Sequence, residues 1–483
     1  MGILFNEIVT NTRTQGTFVE FDTNAANDGD FLSHGVLLVQ RLANSAGGAG
    51  IPYQVVTADE GAALFGHGSM GDAMVRAALA VRPGIRVSVI ALDDLGAGVA
   101  ASGSLTIAGV PSTNGTLSIS IAGQSVSVPM LTTQTATTLA TAIVQAITDE
   151  SSLECTASSN AGVVTLTAKH KGEYGNDLTI SFDVSAAEAP TSPTITLSQF
   201  SGGTGNPDIN DAIVAMGDEW YNYIANPWTD AANLDALSQY LTTRFGPHVQ
   251  RGSRAFMAFR GTYGESAAFG DSRNDPHFSC MMTSLSASPS HHWAAVNMIV
   301  AGSALAQDPT RQLNGRVLVG IKPPPIEQRF NDTARNQLLY DGGSTYTADA
   351  NGNVRIEAQI TMLQENAQGL ADNSMLYIQV PEYLERHRLA IRQLFAPFSD
   401  AKLMGDRDPI PVGQKIMTPK RAKAMLIDWY RVEVSQLAWA EDIESYIERL
   451  IVEKEGNRLK IVESPDIVNN LRQTFARVEL RDS

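Results

Sequence analysis

Residues 456–483 read GNRLKIVESPDIVNNLRQTFARVELRDS and parse into three short pieces. From Arg458 to Val462 the side chains alternate, with Leu459 and Ile461 on one face, which is the two-residue period of a strand. Glu463, Ser464 and Pro465 break that strand. Ser464 can cap a following helix, and Pro465 suits its first turn, where no N–H is required. Ile467, Val468, Leu471 and Phe475 then recur at helical spacing. Alternation returns over Ala476, Arg477, Val478, Glu479 and Leu480, with Val478 and Leu480 on one face. A strand this close to a chain end carries a row of unpaired N–H and C=O groups. It must join a sheet in its own chain or in a neighbour. Near the other end Thr17, Phe18, Val19, Glu20 and Phe21 alternate in the same way, just beyond Gly16. The expectation is a pair of terminal arms that exchange strands between subunits. An ordinary first strand is the other reading of residues 17–21.

Composition sets the frame for those arms. A chain of 483 residues has room for two to four domains, and 43% hydrophobic with 18% charged residues suits sizeable soluble cores. No apolar run approaches membrane-spanning length, and MGILFNEIVTNTRTQG lacks the basic start and apolar stretch of a signal peptide. Asn6 stands where a myristoylation signal needs Ser or Thr. Cys155 and Cys280 are the only two cysteines, which excludes a disulfide framework and points to a reducing site of synthesis. Net charge is −16, yet residues 381–483 hold 17 basic and 17 acidic side chains, so the whole acidic excess lies before residue 381. Non-specific nucleic-acid binding needs a basic footprint and is not expected. Different parts of the chain are expected to face different partners.

Taken in order, residues 1–24 form the N-terminal arm. Gly35 to Arg41 is a continuous apolar run, the mark of a strand buried on both faces. Helices are expected over Val55–Phe65 and Ser69–Val81, and a second buried strand over Val87–Leu92; residues 25–95 thus begin an α/β core. At Gly96 the composition turns rich in Ser, Thr, Ala and Gly. Strands are expected at Ser104–Ile107, Thr116–Ile121, Gln124–Val128, Val163–Ala168 and Leu178–Val184, with one helix at Thr135–Thr148. Residues 96–200 therefore read as an inserted β-rich accessory domain, with Pro190 to Pro193 in its exit linker. The α/β pattern resumes over 201–350. Helices follow Asp208, span Asp230–Phe245 and span Trp293–Gln307; strands occupy Tyr221–Ile224, Ala255–Phe259 and Phe278–Leu285. Residues 351–483 form an α+β C-terminal domain: a strand at Val354–Met362, helices at Pro381–Phe395, Thr418–Glu433 and Glu441–Glu455, then the terminal stretch. The fold class is α/β and α+β multidomain.

No catalytic constellation emerges. Gly202-Gly203-Thr204-Gly205-Asn206 precedes a helix, but it lacks the Lys-Ser/Thr ending of a phosphate loop, and Asp208 at the helix start would repel an anion. It reads as a return loop with an N-cap. His291 and His292 are adjacent and diverge, so they read as polar loop histidines rather than a metal pair. There is no G-x-S-x-G elbow, and Cys280 reads as a buried small hydrophobe. Asp93-Asp94 and Asp406 with Asp408 read as solvated turns. Lys420, Arg421 and Lys423 form the one local basic cluster, placed at a helix start where they oppose the dipole. A solvated face is the common explanation of such a run; a docking face for an acidic partner is the sharper one.

The chain resembles contractile-tail sheath proteins of the Mu-like phage group. An ordered series of stretches carries the resemblance over nearly the whole length: GTFVEFDTNAA, GGTGNPDINDAI, NPWTDAANLDAL with a later TTRF, HHWAAVNMIVAGSALAQDPTRQLNG, RFNDTARNQLLYDGGSTYTADANGNVRIEAQITM and DIVNNLRQTFARVEL. Ala358 departs from it, standing where the R-x-I-T-T-Y pattern of that group has arginine, so no role passes to that side chain. The resemblance implies a virion structural protein, with no catalytic residues and no cofactor. It implies rings stacked in a helical array around a tail tube, joined by arms that add strands to neighbours. The implied partners are other copies of itself, the tail tube protein, and baseplate and tail terminator proteins. Nucleic acid and direct membrane insertion are not among them. The implied location is the virion tail, assembled in the bacterial host cytoplasm. Within that reading Lys420, Arg421 and Lys423 are candidates for the tube contact. An α/β enzyme with an unrecognised site and a surface-binding protein using residues 96–200 are the competing readings.

Overall fold

The structure is a computed structural model that describes residues 33–186, 191–409, 411 and 413–478. Strand β1 (His34–Gln40) is buried along all seven residues, as its apolar run predicts. The short β2 (Pro52–Gln54) follows, then helices α1 (Ala58–Phe65) and α2 (Met70–Ala80) and strand β3 (Arg86–Leu92). Thr57 and Ser69 cap the two helices by accepting from the N–H groups of Glu60 and Asp72. Each cap satisfies a donor that the helix itself leaves unpaired.

Two antiparallel sheets come next. Strands β4 (Ser102–Ala108), β5 (Gly115–Ile121) and β6 (Gln124–Met130) lead into helix α3 (Ala136–Asp149). Strands β7 (Cys155–Asn160), β8 (Val163–Ala168), β9 (Ile180–Ala186) and β10 (Thr194–Ser201) complete them. The sheet orders are β10-β4-β8-β7 and β6-β5-β9. The sequence reading missed β7, whose CTASSN leaves little apolar signal, and β10, where Ile195 and Leu197 alternate with Thr and Ser just beyond the prolines. Strand β10 pairs along β4, and Val99 bridges Thr204 just outside them. The segment thus leaves and rejoins the remainder of the chain at one place.

Helix α4 (Ile209–Met216), strand β11 (Tyr223–Ala225), helix α5 (Ala231–Phe245), strand β12 (Arg254–Phe259), helix α6 (Tyr263–Asp271), strand β13 (Phe278–Met282) and helix α7 (Ser290–Gln307) restore the α/β rhythm. Together with the first strands they build one six-stranded sheet, ordered β13-β12-β11-β1-β3-β2 and parallel except for β2. Alternate residues of β1 serve two cores. Leu37 and Val39 join Met74, Trp293 and Met298 on the side of α2 and α7. Val36 and Leu38 join Ile209, Leu234 and Leu237 on the side of α4 and α5. A parallel sheet covered on both faces explains why its strands read as unbroken apolar runs. Gly302 lets α7 lie against the sheet, since a Cβ there would sit 2.9 Å from the Tyr223 ring. The core on the α7 side is continuous with Leu105, Ile119, Ile143 and Leu166 of the β4–β10 region.

Helix α8 (Asp332–Tyr340) and the hairpin of β14 (Thr345–Ala348) and β15 (Val354–Ala358) lead to the long helix α9 (Gln379–Phe395). Beyond it lie a small pair, β16 (Lys402–Leu403) with β17 (Ile416–Met417), and helix α10 (Pro419–Val432), which runs into a π-turn over Glu433–Leu437. Then come β18 (Ala440–Glu441), helix α11 (Ile443–Arg449), β19 (Ile451–Glu455), β20 (Arg458–Val462) and β21 (Asp466–Ile467). The helix expected over Glu441–Glu455 is corrected here: only residues 443–449 are helical, and 451–455 form a strand. The two-residue turn Gly456-Asn457, with Gly456 at φ +58°, joins β19 to β20 as a tight hairpin requires. Cross-strand pairing overrides the helix propensity of Glu453, Lys454 and Glu455.

The glycine loop before α4 is held by a polar network. Asp230 caps α5 by accepting from Asn233 N, and its second oxygen accepts from the side chains of Asn206 (2.7 Å) and Asn233 (2.9 Å). Asn233 accepts from Ile209 N at 2.9 Å and donates to the Pro207 carbonyl at 3.0 Å. Asn233→Ala leaves both of those buried main-chain groups unsatisfied. The expected loss is about 2–3 kcal/mol in chemical denaturation. The exposed Asn210→Ala on α4 serves as control and shifts stability by no more than about 0.5 kcal/mol.

Candidate functional site

The C-terminal surface is built around one buried carboxylate. Glu433, at the start of the π-turn, is fully buried. It accepts from Tyr383 OH at 3.0 Å, Trp429 Nε1 at 2.9 Å and His387 Nδ1 at 2.8 Å. The other ring nitrogen of His387 lies 3.4 Å from Glu463, which also accepts from Tyr446 OH at 2.9 Å. Burial pushes the His387 imidazole down, but Glu433 and Glu463 outweigh it and raise its pKa to about 9. Tyr430 stacks on Tyr446 with ring centroids 3.8 Å apart, and its hydroxyl donates to Glu441 O and accepts from Asp466 N. Glu463 and Asp466 are therefore fastened to the domain interior. The terminal arm begins directly after them.

Beyond β21 the expected helix through Leu471 and Phe475 is not formed; residues 468–478 have no regular secondary structure. β21 itself pairs with β18, Asn469 donates to Glu441, Asn470 donates to Thr310 O, and the Arg472 guanidinium lies over the Tyr377 ring. Leu471, Phe475 and Val478 are 83%, 90% and 87% exposed. An isolated helix of this length is marginal in water, and here Ile467 packs on the C-terminal core as part of β21 while no part of the described chain covers Leu471 and Phe475. Ala476, Arg477 and Val478 pair with no strand among the described residues. Glu479 and Leu480 lie outside the described residues, as do Thr17, Phe18, Val19, Glu20 and Phe21.

The β19–β20 hairpin precedes the arm in the chain. Val452 and Ile461 pack inward on the core of Tyr383, Leu426 and Tyr446, while Ile451 and Val462 are more than half exposed. No further strand adds to either edge among the described residues. A two-stranded sheet with open edges is a template for another strand.

The basic cluster is only partly free. Lys423 spends its ammonium on the Leu450 carbonyl at 2.8 Å, where α11 ends. Arg421 donates to Ile416 O at 2.8 Å and lies over the Phe398 ring. Lys420 is exposed, and its main-chain N–H donates to Asp406. Sequence reasoning could not see these ties, because the partners lie up to 27 residues away.

Two other expectations need correction. His291 and His292 are not loop residues but open α7, where both meet the buried Glu154 carboxylate. Burial pushes Glu154 up, and His291 and then His292 outweigh it and hold it well below the carboxylate range. Asp94 is not a solvated turn: it accepts from His170 at 2.8 Å and from Gln40 at 2.9 Å. Asp93 pairs with Arg41 at 2.8 Å. Asp208 caps α4 by accepting from Asn210 N, as the return-loop reading expects, and Cys280 is fully buried, its thiol pushed well up by burial. A cleft of about 640 Å³ lies beside Tyr263, Arg329 and Phe330, and no carboxylate, histidine or cysteine lines it. Nucleophilic and acid–base catalysis by those side chains has no footing in that cleft. No helix among the described residues is long and apolar enough to cross a membrane.

Comparison with known proteins gives a consistent result. Residues 202–362 match the family model of the phage tail sheath protein central domain. The Mu-like prophage FluMu tail sheath protein of Haemophilus influenzae is 34% identical over 479 residues, covering 98% of each chain. Among solved structures, a sheath tail protein from Desulfitobacterium hafniense is 13% identical, with a TM-score of 0.47, covering 94% of this chain and 100% of its own. One from Listeria innocua is 12% identical at the same TM-score, covering 91% and 92%.

The His387–Glu433 contact makes the C-terminal core sensitive to alkali. The folded pKa of His387 is raised to about 9 from an ordinary 6.5, so the fold prefers the protonated ring. Its contribution is complete below pH about 6.5 and is lost as pH rises through about 9, a decline on the order of 3 kcal/mol. Denaturant unfolding followed by Trp429 and Trp439 fluorescence across that window should show the decline. Glu433→Gln removes the charge that raises the imidazole and should flatten it; an unchanged slope in the variant overturns the assignment.

Proposed function

The chain belongs to the phage tail sheath family, a family of structural proteins and not of enzymes, and from that premise we propose that it polymerises as stacked rings around a tail tube. On this reading contraction of the helical array drives the tube through the host envelope. The single observation that carries the assembly step is the pairing of an open need with an open site. An arm exposing Leu471, Phe475 and Val478 and a hairpin with two open edges belong to the same C-terminal part of the chain. Backbone pairing between an arm of one subunit and a sheet of the next would give connectivity that survives rotation, because the flanking segments can flex.

The chain then divides by role. Residues 1–24 are an arm, 25–95 and 201–350 the sheath core, 96–200 an accessory domain, and 351–483 the domain that carries the hairpin and the second arm. The shared start and finish of the 96–200 segment at Val99 and Thr204 supports its reading as a unit set into the core. The strands exchanged are Thr17–Phe21 and Ala476–Leu480. The tube contact falls on Lys420 and Arg421, with Lys423 holding the surface behind them in shape. Exposed charge pairs contribute only about 0–1 kcal/mol each. Many such contacts can hold a tube along its length and still release in sequence. The further partners are the baseplate and tail terminator proteins, and the site of assembly is the bacterial host cytoplasm.

Removal of residues 1–24, or truncation after Ile467, is expected to leave a folded chain by circular dichroism that forms no rings or tubes under the electron microscope. Normal tubes from both deletions would overturn strand exchange. The double substitution Lys420→Glu with Arg421→Glu is expected to give sheath that polymerises but encloses no tube. Extended sheath around the tube in that variant would move the contact elsewhere.

A further inference from the structure

Between the 96–200 segment and the central sheet lies a polar cluster that neither strand exchange nor tube contact uses. Glu154 directly precedes β7, and its side chain is only 3% exposed. His291 and His292 are the second and third residues of α7, 0% and 14% exposed. Successive side chains on a helix point about 100° apart, yet both Nε2 atoms turn to one carboxylate. His291 Nε2 is 2.8 Å from Glu154 Oε2, and His292 Nε2 is 3.0 Å from Oε1. One ligand atom from each residue lies within 4.8 Å of the others. We infer that Glu154, His291 and His292 bind a divalent ion of the zinc class, which fastens the 96–200 segment to α7.

The surrounding charges support this. A buried carboxylate needs a positive partner, and two cations of this region form their hydrogen bonds elsewhere. The Arg76 guanidinium pairs with Asp72 at 2.6 Å, and the Lys169 ammonium donates to the carbonyls of His67 and Ser151 at 2.9 Å. The positive charge in direct contact with Glu154 is then a proton on an imidazole or a metal. Two imidazole nitrogens and one carboxylate suit Zn²⁺ and its neighbours; Mg²⁺ and Ca²⁺ prefer all-oxygen sets. Tetrahedral bonds of about 2.0–2.1 Å set ligand atoms roughly 3.3 Å apart, a few tenths of an ångström wider than the two imidazole–carboxylate distances, which run to different oxygens of Glu154, and inside the 4.8 Å that spans all three ligand atoms. A cavity of about 180 Å³ opens beside His292, next to Arg76, Gln124 and Ser288. Of the three ligands only His292 lines it, together with the cationic Arg76 and Lys322, and it has room for a water beside that imidazole.

The test uses the full chain without a histidine tag, stripped with chelator and then exposed to Zn²⁺ or Co²⁺. The expected result is one ion retained per chain by elemental analysis after gel filtration. Co²⁺ should show the intense visible bands of a four-coordinate centre, and Zn²⁺ should raise the melting temperature. Glu154→Gln keeps the shape but loses the anionic ligand, and His292→Gln loses a nitrogen. Each should weaken the ion at least tenfold, with circular dichroism reporting that the fold survives. Failure of the stripped wild-type chain to take up either ion overturns the proposal and leaves a proton as the shared charge. Equal uptake by wild type and both variants overturns it as well, since the ion then sits elsewhere.

Discussion

Helix α9 is buried on two sides and still carries charge on both, and the arrangement of the whole chain depends on how those charges are matched. One stripe faces the α/β sheet. There Glu382 accepts from Tyr223 OH, Glu385 from Gly252 N, Arg386 donates to Ser33 and Ala306, and Arg388 to the Phe245 carbonyl. The other stripe, Tyr383 and His387 with Ile391 and Leu394 beyond, faces the C-terminal unit. A buried charge is tolerated only with its partner in place. The orientation of α9 against the sheet is therefore set by specific pairs rather than by area alone. The same helix then positions Glu433, and Glu433 with Glu463 sets where the terminal arm leaves the domain.

This places rigidity and exposure side by side. The network ends at Asp466, and within five residues the chain presents Leu471 to solvent. Apolar side chains this exposed gain about 25 cal/mol per Å² when covered. On the proposed reading a neighbouring subunit supplies that cover, so part of the stabilising surface belongs to the assembly and not to the monomer.

How much of this was legible in the sequence follows from where the partners lie. The core strands around Leu37, Ile90 and Phe256 were readable because burial on both faces leaves a continuous apolar run. Most helix starts were readable from Ser69, Asp208 and Asp230, whose caps are local. Strand β7 was not, because CTASSN carries its pairing in the backbone and little in its side chains. The helix expected through Phe475 failed because an apolar stripe needs a surface to cover it. The histidines at 291 and 292 were misread because their partner Glu154 stands 137 residues earlier, and burial of that kind leaves no local mark. In the basic cluster, Lys420, Arg421 and Lys423 looked alike in sequence, and only tertiary contacts separate the exposed Lys420 from the tethered Lys423.

The β19–β20 hairpin also bears on timing. An open edge does not choose among strands, so if subunits exchange strands as proposed, a newly made one is exposed to premature pairing. Glu453, Lys454 and Glu455 on one strand and Arg458 and Lys460 on the other line this hairpin with charges of both signs. Charged side chains along an edge act as gatekeepers: an uncharged or like-charged strand arriving alone must desolvate them without compensation. On the proposed reading, spontaneous nucleation would be slowed while growth onto a correctly registered neighbour stays open. On that reading a subunit with such an edge would wait for a template before it joins the array.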